Sequence, residues 1–106
     1  MRRRKFLTKI NKRDWGKNMD LKKITTEIAD DLDFLKTFTA TPGKGCTRMP
    51  FTRETRDAAE YLKKIMKEAG LEVREDCVGN IFGVLPGRNR ELPCVMAGSH
   101  YDSVYN

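Results

Sequence analysis

The chain has 106 residues, enough for one small domain, and 34% of them are charged against 39% that are hydrophobic. Its net charge of +6 is concentrated in residues 1–18, where eight Lys and Arg stand against one Asp, so the rest of the chain is nearly neutral. No stretch of the chain approaches the roughly 20 apolar residues that a membrane-spanning segment needs, which excludes such a segment. The nearly neutral body lacks the basic face that a nucleic-acid-binding body needs.

Residues 1–18 form a basic arm. Residues 3–7 (RRKFL) resemble the start of a twin-arginine export signal, but polar residues follow where such a signal needs an apolar run. We therefore predict no export and a disordered arm that makes weak, salt-sensitive contacts with polyanions. Residues 19–106 are predicted to form the folded body.

Two helices open the body. The first is predicted over residues 20–38, capped by Asn18 or Asp20, and its apolar residues recur at three- and four-residue steps. The stripe that they form is expected to pack on a sheet; it consists of Leu21, Ile24, Ile28, Leu32 and Leu35. The second is predicted over residues 52–69, with Thr52 as N-cap and Gly70 ending it.

Three strands follow the helices. Residues 71–75 and 81–85 are predicted to pair across a turn at residues 78–80, and the apolar segment 93–97 reads as a buried strand with Cys94 in the core. Helices and strands in this order predict an α/β fold in which they pack as layers around a sheet.

His100, the only histidine, follows segment 93–97 and precedes Asp102 by two residues. Open α/β sheets bind ligands at the carboxyl ends of their strands, and a carboxylate at this spacing can fix the tautomer of a metal-binding imidazole. A catalytic zinc site needs about three protein ligands, however. The pattern alone therefore favours a strand-end histidine bonded to a turn over a metal ligand.

The loop predicted over residues 39–51 contains Arg48 in a Gly-rich setting. Such an arginine can grip a carboxylate in a bidentate pair, cap a helix or stay solvated. The composition of the loop favours a helix cap or a solvated side chain over a carboxylate pair.

Cys46, Cys77 and Cys94 are odd in number and widely spaced, and the chain contains no Cys-x-x-Cys. This pattern argues against a zinc ribbon or a thioredoxin-type site. We predict free thiols and a cytoplasmic location.

Four segments together resemble the amidase/hydantoinase/carbamoylase branch of the dimetal hydrolases, which includes N-carbamoyl-L-amino-acid hydrolases and allantoate amidohydrolases and is related to the aminoacylases and dimetal carboxypeptidases. The segments are residues 45–48 (GCTR), 69–73 (AGLEV), 76–80 (DCVGN) and 98–104 (GSHYDSV). The resemblance implies the amino-terminal portion of a three-layer α/β/α catalytic domain, incomplete here.

The resemblance assigns roles to three residues. His100 matches a metal ligand of the family, Asp102 matches the catalytic-site carboxylate that orients this histidine, and Arg48 matches an arginine with a substrate-binding role. The 76–80 turn is taken as structural. The intact enzyme is expected to be a homodimer, to hold two divalent metal ions (zinc or manganese) and to cleave a small ureido or amide substrate.

The family's next motif, its remaining metal ligands, its general base and its second domain have no counterpart in these 106 residues. We therefore expect an amino-terminal fragment that is inactive alone and binds no metal tightly. Two alternatives stay open: a non-catalytic interaction module that works through its basic arm, and a degenerate paralogue that pairs with an intact subunit.

Overall fold

The computed structural model describes residues 20–105, which form two helices followed by two strands: α1 (Leu21–Leu35), α2 (Arg53–Glu68), β1 (Glu72–Glu75) and β2 (Ile81–Val84). The predictions for the basic arm and for an Asn18 cap lie outside the described residues. Neither α1 nor α2, the helices of the described part, has the length and apolar content needed to cross a bilayer.

Helix α1 begins where its sequence predicts. The Asp20 side chain accepts a hydrogen bond from the Lys23 N–H at 3.1 Å, which satisfies one of the free amides of the first turn. The helix ends at Leu35, three residues before the predicted end, and the chain turns away over the next residues.

The face that α1 packs with differs from the predicted one. Leu21, Ile28 and Leu32 of the apolar stripe are 67%, 54% and 54% exposed, so the prediction that the stripe packs on a sheet is wrong for the described residues. Contact with α2 runs instead through Tyr61, whose ring centroid lies 4.6 Å from that of Phe34. Three of the five stripe residues are thus exposed, while Ile24 and Leu35 are half-buried.

Helix α2 has both predicted ends. Thr52 caps its start, and at its end the N–H of Leu71 bonds to the Met66 carbonyl while the N–H of Gly70 bonds to the Lys67 carbonyl. These two bonds form a Schellman motif, which requires a left-handed residue; Gly70 supplies it with φ +84°. The motif reverses the chain into β1.

Replacing Gly70 with alanine should therefore lower the free energy of unfolding by about 1 kcal/mol, because a Cβ strains the left-handed backbone. Space is not the cause, since a Cβ at Gly70 meets no atom within 4 Å. Gly98→Ala is the matched control: it also meets nothing within 4 Å, but its φ is not positive, so we expect little change. Urea denaturation of both variants measures the difference, and equal losses would contradict the role of φ.

The predicted hairpin is confirmed. Strands β1 and β2 pair antiparallel with Glu72 opposite Val84 and Glu75 opposite Ile81, and α2 packs against both. The buried apolar core of the described residues is small and consists of three alanines in α2 or at its end, Ala58, Ala59 and Ala69. The result is the incomplete α/β fold that the sequence predicts.

Segment 93–97 is not the buried strand that its apolar residues predict. All residues from 91 to 100 are exposed, with Val95 at 101% and Met96 at 74%, and Cys94 is an exposed free thiol and not a core residue. A strand needs a neighbour for its backbone hydrogen bonds, and within residues 20–105 only β1 and β2 pair. The three cysteines are unpaired, as predicted.

Candidate functional site

Residues 100–103 join two other parts of the chain. One is the loop between the helices at residues 46–48, and the other is the hairpin turn at residues 76–80. These segments carry the motifs singled out in the sequence, so the structure brings three of the four together. The fourth, residues 69–73, follows α2 directly and contains the first two of the four residues of β1.

His100 and Asp102 form a pair at the surface. The imidazole Nδ1 lies 2.9 Å from Oδ1 of Asp102 and 3.1 Å from its carbonyl oxygen, while the His100 side chain is 81% exposed. In the neutral imidazole, both oxygens favour a proton on Nδ1. The lone pair then stays on Nε2, the nitrogen with which such a histidine binds a metal.

The residues that alternate with this pair face the body. Ser103 makes three bonds with the loop before α2: its hydroxyl donates to the Cys46 carbonyl at 2.6 Å and accepts from the Arg48 N–H at 2.8 Å, and its own N–H donates to the Arg48 carbonyl at 2.9 Å. The phenol of Tyr101 donates to the Gly79 carbonyl at 2.9 Å. Side chains of an extended segment point alternately to opposite sides, so anchoring one side presents the other.

Arg48 is buried, with only 7% of its surface exposed. Its Nη1 donates to the carbonyls of Leu35 and Phe38 at 2.6 and 3.1 Å, and its Nε donates to the Tyr101 carbonyl at 2.6 Å. The guanidinium therefore caps the carboxyl end of α1, one of the three roles open from the sequence, and ties that end to the His100–Asp102 segment. The substrate-binding role stays a prediction.

The turn at residues 76–80 is held by Asp76. Its carboxylate accepts the N–H groups of Val78 and Asn80 and the Asn80 side-chain amide, at 2.8–3.0 Å. The Asn80 amide group is the main reason why the pKa of Asp76 lies below its ordinary value, so the carboxylate is charged at neutral pH and the turn keeps these bonds. This geometry gives the structural role predicted for the motif.

Sequence reasoning passed over Tyr101 and Ser103. Burial raises the pKa of Tyr101, so the phenol remains a hydrogen-bond donor at neutral pH. The available signal was their alternation with His100 and Asp102, which predicts that if one pair faces outward the other faces the body.

His100 lies at the rim of a wide, open cleft of about 1960 Å³, lined on the helix side by apolar residues such as Leu32, Leu62 and Met66. Within residues 20–105, no three His, Cys, Asp or Glu side chains come together to hold a metal ion. A catalytic zinc site needs about three protein ligands. The described residues therefore fit one ligand of a metal site and its orienting carboxylate, and not a whole site.

Known proteins match the chain over most of its length. The N-carbamoyl-L-amino-acid amidohydrolase of Paenarthrobacter aurescens is 45% identical over 89 residues, 83% of this chain and 21% of the relative. The ureidoglycolate hydrolase of Arabidopsis thaliana is 42% identical over 77 residues, 73% of this chain and 16% of the relative. The allantoate amidohydrolase of Escherichia coli K12 is 39% identical over 79 residues, which are 74% of this chain and 19% of the relative.

A solved structure agrees with these sequences. The crystal structure of AtUAH in complex with (S)-hydroxyglycine superposes with a TM-score of 0.72 and 40% identity, covering 74% of this chain and 19% of that one. No protein-family model matches the chain. The chain thus spans about a fifth of the length of the relatives that it matches.

Proposed function

We propose, from its similarity to the N-carbamoyl-L-amino-acid and allantoate amidohydrolases, that the chain supplies a metal ligand, His100, to a hydrolase of linear C–N bonds. The substrate class is a small ureido or amide compound that also carries a carboxylate. Water adds to the carbamoyl carbon and the C–N bonds break, so that an N-carbamoyl amino acid yields the amino acid, ammonia and carbon dioxide.

One observation carries the proposal: the contact between His100 Nδ1 and Asp102 Oδ1 at 2.9 Å in an otherwise exposed pair. An exposed histidine that only stabilised the fold would bond to the body, but here the body is bonded by Tyr101 and Ser103. The arrangement keeps Nε2 facing outward with a negative charge behind the ring. This is the usual environment of a histidine metal ligand.

The described residues divide the work of binding and orientation. Asp102 holds the Nδ1 proton and turns the ring, and His100 offers Nε2. Divalent ions supply Lewis-acid activation of the substrate carbonyl and of water in hydrolases of this kind. Zinc and manganese are the candidate ions. Arg48 is the candidate residue for binding the substrate carboxylate, which would have to replace one of the carbonyl groups to which its guanidinium donates.

The proposal requires more than residues 20–105. In it, the remaining ligands and the general base come from polypeptide that corresponds to the other four fifths of the relatives' length. We also propose a cytoplasmic location, supported by three unpaired cysteines, and a homodimer as the state of the complete enzyme.

The test compares the 106-residue chain with a chimera. In the chimera, a stretch of this chain that includes His100 and Asp102 replaces the corresponding stretch of the N-carbamoyl-L-amino acid amidohydrolase of Geobacillus stearothermophilus, which is 48% identical to this chain over 65 residues. We expect the chimera to hydrolyse an N-carbamoyl-L-amino acid. We expect the chain alone to release no ammonia and to bind zinc or manganese no more tightly than about 0.1 mM, because it lacks a ligand set.

Activity is followed as ammonia release and metal binding by calorimetry, with the unaltered Geobacillus enzyme as positive control. A folded chimera that binds metal but stays inactive with every N-carbamoyl-L-amino acid tried would contradict the proposed function. Tight binding of one or two ions by the chain alone would contradict the proposed need for further polypeptide.

A further inference from the structure

We propose that Tyr101 is a positioning residue for the His100–Asp102 pair, acting through the hydrogen bond of its phenol to the Gly79 carbonyl. Its consequence for metal binding rests on the proposed function. Its geometry does not, because the bond and the pair are present in the described residues themselves.

Tyr101 is where the chain returns to the body. Every residue from 91 to 100 is exposed, and residues 101–103 are half-buried. His100 is therefore attached to the fold on one side only, through the residue that follows it. Whatever fixes residue 101 fixes where His100 points.

Two contacts fix Tyr101, and they act on different degrees of freedom. Arg48 Nε holds its carbonyl oxygen at 2.6 Å, which anchors the peptide plane between Tyr101 and Asp102. The phenol, bonded to Gly79, holds the side chain and so limits rotation about the bonds on the amino side of that plane. His100 lies on that side, so the phenol has a role that Arg48 cannot fill.

The partner of the phenol is itself rigid. Gly79 has φ +92° and lies in the turn that Asp76 and Asn80 close with three hydrogen bonds to each other. A second bond runs from the Gly79 N–H to the Asp76 carbonyl at 3.1 Å, so both polar groups of its backbone are engaged. The DCVGN turn is thereby linked to the orientation of His100 through the single hydroxyl of Tyr101.

The test uses the 106-residue chain. Because His100 is its only histidine, all imidazole nitrogen signals come from this one residue. Nitrogen-15 NMR at about pH 8, where an ordinary imidazole is neutral, gives the ratio of the Nδ1–H to the Nε2–H tautomer. We expect the Nδ1–H form to dominate. Tyr101→Phe should lower that ratio about threefold, because it removes one hydrogen bond and leaves the ring.

Tyr61→Phe is the matched control. It also removes one phenol bond, from Tyr61 to Asp31 at 2.7 Å, but at the interface of α1 and α2. A role of Tyr101 in general stability would make both variants change the ratio alike, and that result would overturn the proposal. An unchanged ratio in Tyr101→Phe, or a free-imidazole ratio in the wild type, would overturn it as well.

If circular dichroism shows that Tyr101→Phe is unfolded, a second variant tests the proposal. Asn80→Ser loosens the turn without touching Tyr101 and should lower the ratio in the wild-type background; no change would overturn the proposal. If Tyr101→Phe folds, Asn80→Ser should have no further effect in its background. An inactive chimera would count against the proposed function alone, since these ratios require neither metal nor turnover.

Discussion

Replacing His100 with alanine in the chimeric hydrolase is expected to lower kcat/KM by at least about a thousandfold, because it removes the metal ligand that we propose for the reaction. Asp102→Asn should cost less, about 10- to 100-fold, because the imidazole remains but loses the charge that fixes its proton on Nδ1. Steady-state ammonia release gives the rates, and elemental analysis gives the bound metal. We expect the metal content to fall most in His100→Ala.

Neither loss should come from unfolding. The His100 side chain is 81% exposed and its hydrogen bonds within residues 20–105 go to Asp102, so thermal unfolding of His100→Ala should resemble that of the parent. Glu91→Gln, which neutralises an exposed carboxylate on the same segment, should leave the rate within about twofold. Full activity and full metal content in His100→Ala would contradict its assignment as a ligand.

The elements that the sequence predicted well are those whose causes lie within a few residues. Thr52 caps α2 from the position before it, Gly70 ends it with a left-handed residue, and the turn of the hairpin is closed by Asp76 and Asn80. In each case the residues that predict the structure and the backbone that they stabilise lie in the same short stretch of sequence. Such features form independently of residues that are distant in the chain.

The two incorrect predictions depend on distant partners. The stripe of α1 and segment 93–97 are apolar, and apolar patterns indicate that a covering surface is needed without showing that one is present. Val95 is fully exposed and Leu32 half exposed because nothing in residues 20–105 packs on them. Long exposed apolar segments of this kind favour association, so the chain by itself is expected to aggregate at high concentration.

The candidate site divides in the same way. The contact between His100 and Asp102 spans two residues, so the spacing alone shows that it is possible. The contacts of Arg48 span 10 to 53 residues, and its loop favoured a helix cap or a solvated side chain without showing which of the two it is. Only the fold brings the end of α1 within reach of the guanidinium.

Replacing Arg48 with alanine should be the most destabilising single change in the described part of the chain, lowering the free energy of unfolding by roughly 3 kcal/mol. The loss has two sources. Charge-assisted bonds to the carbonyls of Leu35, Phe38 and Tyr101 disappear, and these acceptors lose a donor in a site that is only 7% exposed. A small domain is stable by about 5–10 kcal/mol, so the change removes a large part of that margin.

Arg48→Lys separates charge from shape. The ammonium of lysine is a single point, so it can bond to the end of α1 or to Tyr101 but cannot hold both in the fixed directions of Nη1 and Nε. We expect it to recover less than half of the loss. The control is Arg53→Ala, since Arg53 has 89% of its side chain exposed and only a 3.8 Å ion pair with Asp57, and it should change stability by no more than about 0.5 kcal/mol.

Urea denaturation of the three variants measures these differences, and the nitrogen-15 signals of His100 report whether the site loosens with the fold. Loss of Arg48 should lower the Nδ1–H share of the imidazole as well as the stability, because the guanidinium anchors the peptide between Tyr101 and Asp102. An Arg48→Ala variant as stable as Arg53→Ala would mean that the buried guanidinium is not needed to hold the end of α1. The substrate carboxylate would then be its best remaining partner.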